Sequence, residues 1–223
     1  MEQLHRLETD VLVAGGGAAG VCCALAAARC GVRVVLCHDR PVLGGNASSE
    51  VRMHIVGADA SGGRGAVLAT EAREGGIIEE IRLETCVHNP QRSASMLDLV
   101  LYDLCRREPG LTLLLNTTVV GVDQADHRIA SAHAVRPSTE DRFVIDARVF
   151  VDCTGDGRLG AEAGAPWQHG REGHEQCGEQ RAVAAADRQT LGSTLLFLAR
   201  RHDRPMPFCA PSWARRFTEA DLS

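Results

Sequence analysis

The chain has no apolar run approaching the roughly 20 residues that a membrane-crossing helix needs. Its longest apolar stretches, around residues 21–28 and 111–115, fall far short. It has no block of Lys or Arg, and its net charge is −5, so it lacks the electrostatic footprint of a nucleic-acid or anionic-membrane binder. The partner expected instead is a small-molecule substrate. The opening MEQLHRLETDVLVAGGG lacks the charged, apolar and cleavage regions of a signal peptide, and the expected location is cytoplasmic. Nine cysteines are present, but no two are spaced as C-x-x-C and their number is odd. That pattern points away from a disulfide framework and from a zinc site. Most of these cysteines lie in apolar segments, where Cys behaves as a small hydrophobe. There is no internal repeat.

What is present is enough apolar sequence, 44% of 223 residues, to bury a substantial core. Residues 9–14, TDVLVA, form a short apolar run ending at glycines, as expected of a buried parallel strand. Residues 18–30 are small almost throughout, which suits a helix lying close on a sheet, and Gly31 ends it. RVVLC at 33–37 reads as the next strand, completing a right-handed β-α-β unit. A turn-rich loop follows at 40–49, then a possible strand at 50–56 and a glycine-rich piece at 57–65. Segments 66–74 and 77–86 look helical. The helix at 95–107 has a capping-box pattern in Ser95 and Asp98 and an apolar stripe of Met96, Leu97, Val100, Leu101 and Leu104. Residues 111–115 read as a third core strand. Segments 118–122, 129–135 and 142–145 read as an antiparallel meander, and 149–152 as a further buried strand that returns to the sheet. The fold class is α/β, a Rossmann-like domain with a parallel sheet plus a three-strand meander. The composition turns polar after Gly164, which divides the chain into a dinucleotide-binding domain at 1–164 and the start of a second domain at 165–223.

Gly15-x-Gly17-x-x-Gly20 lies directly after a strand and before a helix, the context that makes this pattern informative. Gly15 permits the tight turn, Gly17 lets the backbone approach a pyrophosphate, and Gly20 allows close helix–strand packing. The helix start at Ala18 and Ala19 offers free N–H groups and the positive end of its dipole. At the end of the second strand, where an acid usually holds the ribose hydroxyls, stands His38. Asp39 follows it, and Arg40 opens the next loop. Either Asp39 takes the ribose contact or His38 donates a hydrogen bond. NAD and FAD both use such a turn.

VDCTGDG at 151–157 separates the two cofactors. A third strand, a meander and a returning strand that ends in a second glycine turn resemble the FAD-binding domain of the glutathione reductase-like flavoproteins. There an A-T-G type turn packs against the first glycine turn, and Cys153 stands here in place of the alanine. More narrowly, RPVLGGNASSEVRMHIVGA at 40–58, TGDG with AEAGAPW after it, and LGSTLLFLARRHDRPMPFCAPSW at 191–213 resemble the FAD-dependent oxidoreductase family related to heterodisulfide reductase. The resemblance implies that Gly15, Gly17, Gly20, Gly44, Gly45 and Asn46 line the pyrophosphate and ribityl region of FAD. It implies also that Thr154, Gly155, Asp156 and Gly157 close the cradle, and that backbone at Val119 or Val120 meets the adenine. Two glycines remove side chains where a flat cofactor must approach, while Asn46 and Ser48 offer hydrogen bonds. Relatives in the heterodisulfide reductase group carry [4Fe–4S] clusters, but the cysteines here lack the clustered spacing that holds one. No metal ligand is expected.

In flavin chemistry the cofactor transfers the electrons and the protein positions it. If residues 50–56 are extended, Arg52 and His54 share one face. Arg52 is then a candidate to stabilise negative charge and His54 to shuttle a proton, the alternative being an ordinary exposed strand face. No third glycine turn follows Leu191, and the chain reads as the amino-terminal part of a longer flavoenzyme. The alternatives are a truncated FAD-binding module and an NAD(P)-dependent dehydrogenase.

Overall fold

The structure is a computed structural model, and it describes residues 3–55, 74–194, 196–197 and 199–221. One six-stranded sheet organises it. Strand β1 (Leu4–Ala14) is followed by helix α1 (Ala18–Arg29) and β2 (Val34–Cys37). Helices α2 (Ile77–His88) and α3 (Ala94–Arg107) come next, then β3 (Leu111–Leu114), β4 (Thr118–Ala125), β5 (Arg128–Arg136) and β6 (Asp141–Asp152). The spatial order is β3-β2-β1-β6-β5-β4. The first four of these are parallel neighbours, and β6-β5-β4 are antiparallel. The mixed α/β architecture is the one expected, with local differences. Helix α4 (Arg158–Glu162) follows β6, and the one-turn helix α5 (His174–Cys177) comes later.

β1 begins at Leu4, five residues before the apolar run, because β6 pairs with it along its whole length, from Leu4 opposite Arg142 to Ala14 opposite Asp152. The same pairing merges two expected segments. The third meander strand and the returning strand are one continuous β6, whose first half bonds β5 and whose full length bonds β1. No turn residue interrupts its polar middle, Asp146 to Arg148, which remains extended. The second half is less buried than the apolar sequence suggested, with Val149 52% exposed.

α1 lies against the sheet through Gly20, Val21, Ala24, Leu25 and Ala28, all buried. With Leu36, Ile81, Leu101 and Cys105 they form the core on the helical side. On the opposite face Leu12, Ala14, Val35 and Cys37 pack with Val119, Ala132, Phe143 and Ile145 of the antiparallel strands and with Leu159 of α4. Arg29 ties the helical layer together, donating to both carboxylate oxygens of Glu80 at 2.7 and 2.8 Å and to Glu108 at 3.0 Å.

α3 starts one residue earlier than the capping-box pattern placed it. Ser93 is its N-cap position and makes no side-chain cap bond. Asn89 fixes the chain entering the helix instead, accepting from the Ser93 N–H at 2.8 Å and donating to its carbonyl at 2.7 Å. The expected strand at 50–56 is absent through residue 55. The amides of Val51 and Arg52 donate to the Ser48 carbonyl, and Met53 donates to the Asn46 carbonyl at 2.7 Å, closing a turn in which Arg52 adopts φ 69°. The glycine-rich piece at 57–65 and nearly all of the segment expected to be helical at 66–74 lie outside the described residues.

The first compact unit runs from Met1 to Leu191. Past α4 it is held by local ties, such as Arg171 to the Asp187 carboxylate and the paired backbone of the same two residues. A second unit spans Gly192–Ser223. Its described residues form one short 3-10 turn, Glu219–Asp221, where Asp221 accepts from the Thr218 N–H and hydroxyl at 2.8 Å. Among the described residues no helix is long and apolar enough to cross a membrane.

Candidate functional site

The parallel strands β1 and β2 both end at a wide cleft of about 1140 Å³. The crevice outside the carboxyl ends of parallel strands is where open α/β sheets bind ligands. This one exceeds the roughly 300–1,000 Å³ of drug-sized pockets and suits a long ligand. Its base is built from the two glycine turns. Gly15 has φ 99°, and a Cβ there would lie 2.4 Å from the Cys153 carbonyl oxygen. Cys153 in turn donates its N–H to the Ala14 carbonyl at 2.7 Å. The turns are therefore in direct backbone contact, and only a residue without a side chain fits at position 15.

Gly17 is different. A Cβ there would meet nothing within 4 Å, so its missing side chain leaves open space facing the cleft. It is the N-cap of α1 and carries no side-chain cap bond. The first amides of a helix lack intrahelical partners, and Ala18 and Ala19 line the cleft. Gly20 does not line it; a Cβ there would collide with the Gly15 carbonyl oxygen at 1.8 Å, so this glycine serves packing.

A third glycine segment closes one side. Gly44 donates its N–H to the Gly16 carbonyl at 2.9 Å, and a Cβ on Gly45 would come 3.2 Å from Gly17 Cα. Gly45–Ala47 is a 3-10 turn, and Gly44, Gly45 and Asn46 all line the cleft. Ser48 is buried behind it, its hydroxyl accepting from the Glu50 N–H at 3.3 Å. Arg40 and Glu50 pair at the rim through two bonds of 2.8 and 2.7 Å.

His38 is only 5% exposed. Its Nδ1 accepts the Gly16 N–H at 3.0 Å and stands 3.3 Å from Asp39 Oδ1. Burial holds its imidazole below the ordinary histidine range, with the Asp39 charge opposing that shift. Asp39 itself is exposed and lines the cleft.

At the other wall, Thr154, Gly155 and Asp156 line the cleft, and Gly157 does not; it is the N-cap of α4 in left-handed conformation, φ 67°. Asp152 organises this turn. One of its oxygens accepts from the Thr154 N–H and hydroxyl at 2.9 and 2.7 Å, and the other from the Gly160 N–H at 2.8 Å. Burial pushes the Asp152 carboxyl up, but these donors outweigh it and leave the group below its ordinary value. Val119 lines the cleft, whereas Val120 does not.

His54 lines the cleft together with Val51, Met53 and Ile55. Arg52 lies outside the lining, its Nε donating to the Ser49 carbonyl at 3.1 Å. The turn replaces the strand on which the two were expected to share a face. Sequence reasoning missed Thr117, Thr118, Glu50, Arg158 and Trp167. Thr117 arrives because its N–H donates to the His38 carbonyl at 2.8 Å, a tie no local motif announces. Trp167 closes the segment AEAGAPW and is 76% exposed; a lone aromatic in polar sequence was the available signal.

Two thiols line the cleft, Cys37 and Cys153. Burial pushes Cys37 up to about 12 and raises Cys153 as well, so both remain protonated at neutral pH. Among the described residues no group of three His, Cys, Asp or Glu side chains is arranged to hold a metal ion.

A family model described as FAD dependent oxidoreductase matches residues 10–219. No curated protein matches the chain significantly. Among solved structures, THI4 from Thermovibrio ammonificans is similar at TM-score 0.49 and 20% identity, over 78% of this chain and 64% of that one. L-proline dehydrogenase from P. horikoshii is similar at TM-score 0.41 and 20% identity, over 70% and 24%. The flavin-dependent monooxygenase PieE, in complex with FAD and substrate, is similar at TM-score 0.48 and 18% identity, over 74% and 34%. The chain thus spans less than two thirds of each of these proteins.

Proposed function

The chain belongs to the FAD dependent oxidoreductase family, and from that premise we propose that it transfers electrons or hydride between FAD and a small-molecule substrate. The observation that carries this reading is the backbone contact between the two glycine turns at Gly15 and Cys153, beside an open position at Gly17. A cleft built this way admits backbone, not side chains, against an extended anionic ligand.

In this reading the amides at Ala18 and Ala19, beside Gly17, meet the pyrophosphate. Asp39 takes the ribose hydroxyls, because the Nδ1 of His38 is already engaged with Gly16. Val119 lies toward the adenine. Gly44, Gly45 and Asn46 flank the ribityl side, with Thr154, Gly155 and Asp156 opposite. The bound flavin supplies the electron transfer itself. His54 lines the cleft and holds or passes a proton at its imidazole. Arg52 is retained as a candidate for charge stabilisation only if its tie to Ser49 opens. The polar segment 165–191 belongs to the same compact unit as the cleft, with Gly192–Ser223 as a second unit, and substrate recognition is assigned to residues outside the cofactor cleft.

The test is direct. Purified protein is denatured and the released cofactor identified by chromatography and fluorescence, with reconstitution attempted if none is released. FAD near one equivalent is expected. Release of a nicotinamide dinucleotide, or a colourless protein that FAD does not reconstitute, overturns the reading. For His54, the flavin is reduced chemically and its reoxidation followed against pH; a His54→Asn variant with the wild-type profile removes the proton-transfer role.

A further inference from the structure

His38 occupies the place where a ribose-binding acid usually stands, and its ring lies directly under the first glycine turn. A Cβ on Gly16 would be 2.7 Å from His38 Cγ. The imidazole accepts the Gly16 N–H at Nδ1, 3.0 Å away, which requires a neutral ring with its proton on Nε2. That Nε2 is fully buried without a well-formed hydrogen bond, and the nearby Val42 backbone favours the protonated ring. The same Nδ1 is 3.3 Å from Asp39 Oδ1. One nitrogen therefore stands between a backbone donor and a carboxylate acceptor, and its protonation state decides which of them it bonds.

We propose that His38 is a proton-operated positioning residue for the dinucleotide. Neutral, it anchors the Gly16 amide and leaves Asp39 to the ligand; protonated, its Nδ1–H turns to Asp39, frees Gly16 and withdraws the ribose acceptor. This rests on the FAD reading above. The charged groups facing His38 are Asp39, Arg40 and Glu50. Arg40 and Glu50 neutralise one another through their paired bonds, which leaves Asp39 as the charged group that favours protonation, beside the Val42 backbone. Burial opposes the charged ring, so the folded His38 titrates below the ordinary histidine value of about 6.5. The neutral ring stabilises the turn fully above about pH 6.5. The penalty grows as pH falls below that value and levels off below the folded pKa.

The experiment measures FAD affinity of the full chain between pH 5 and 8, for wild type, His38→Asn and Asp39→Asn. Asparagine keeps an acceptor near Nδ1 and does not titrate. Wild-type affinity is expected to fall at least twofold from pH 7.5 to 5, most steeply toward pH 5, and His38→Asn to stay constant over the same range. Asp39→Asn should bind more weakly at pH 7.5 with a shallower pH dependence. A flat wild-type profile, or a His38→Asn profile that falls like wild type, overturns the proposal. A second readout needs no flavin: in the ligand-free protein the Gly16 amide resonance should move with the His38 titration in NMR. If wild type binds no FAD at any pH, the flavin reading fails; if the Gly16 amide ignores the His38 titration, the switch fails on its own.

Discussion

The buried carboxylate of Asp98 accepts the Ser49 N–H at 2.9 Å, so helix α3 holds the loop that carries Gly44, Gly45 and Asn46 into the cleft. Asp98 is 7% exposed. Replacing it by Ala leaves that amide without its acceptor, a loss of about 1–3 kcal/mol in folding stability. Because the loop is part of the proposed FAD cradle, affinity should drop as well. Asp98→Asn keeps an oxygen acceptor and should recover most of both. Denaturant unfolding and FAD titration of the two variants check this, and equal losses in both would show that the bond to Ser49 is not the cause.

Two glycines in one turn should respond oppositely to the same substitution. Gly17→Ala places a methyl where no protein atom lies within 4 Å, at φ −66°, which alanine adopts freely. The ligand-free protein should be unchanged or gain up to about 1 kcal/mol, while FAD affinity falls at least tenfold because the methyl fills ligand space. Gly15→Ala instead drives a Cβ to 2.4 Å from the Cys153 carbonyl oxygen at φ 99°. Conformation alone costs at least about 1–3 kcal/mol there, so that variant should be destabilised even without ligand. Thermal unfolding with and without FAD separates the two; unchanged FAD affinity in Gly17→Ala would sink the pyrophosphate assignment.

The contrast between these glycines also shows how far the sequence could be read. Its local grammar, an apolar run, glycines, a small-residue helix and a second apolar run, gave β1-α1-β2 and the cleft's base, because each of those elements is specified by its own residues. Long-range pairing was hidden. The polar start of β1, His5 to Glu8, is strand only because β6 lies beside it. The polar middle of β6 read as a break for the same reason. Asp98 looked like a capping residue, since nothing near it in sequence reveals the Ser49 amide. Alternation around Arg52 suggested a strand, but the Ser48 carbonyl captures the amides that a strand would have offered. Of the residues named for the cofactor, those that contribute backbone to turns reached the cleft most consistently. Gly20, Ser48, Val120 and Gly157 did not, because which residues face the cleft depends on packing.

Asp152 gives a prediction in pH. Burial raises its carboxyl, but the Gly160 N–H and the Thr154 donors outweigh that and leave it lowered. A carboxylate lowered on folding contributes stability above its unfolded value, about 3.9, and loses it as pH falls through the folded value. Asp152→Asn cannot follow that titration. It should be less stable than wild type at pH 7, by about 0.5–1 kcal/mol for hydrogen bonds at a solvent-exposed carboxylate, and the gap should narrow as pH falls below about 4. Unfolding midpoints at several pH values check the sign. A gap that stays constant down to pH 3 would mean that the charge on Asp152 does not hold the turn at Thr154 and that the difference from asparagine has another cause.

Trp167 stands at the cleft with 76% of its surface exposed. A large indole left in water beside a concave site gains most when a ligand ring or stem covers it, since burying its apolar face is favourable and its N–H can stay solvated. FAD should therefore quench the protein's tryptophan emission on binding, and Trp167→Phe should remove the larger part of that quenching. Phenylalanine retains an apolar ring, so affinity should fall only a few-fold, whereas Trp167→Ala should weaken binding further. Stopped-flow mixing of FAD with the two variants reads both effects in one experiment. Undiminished quenching in Trp167→Phe would place the ligand away from Trp167.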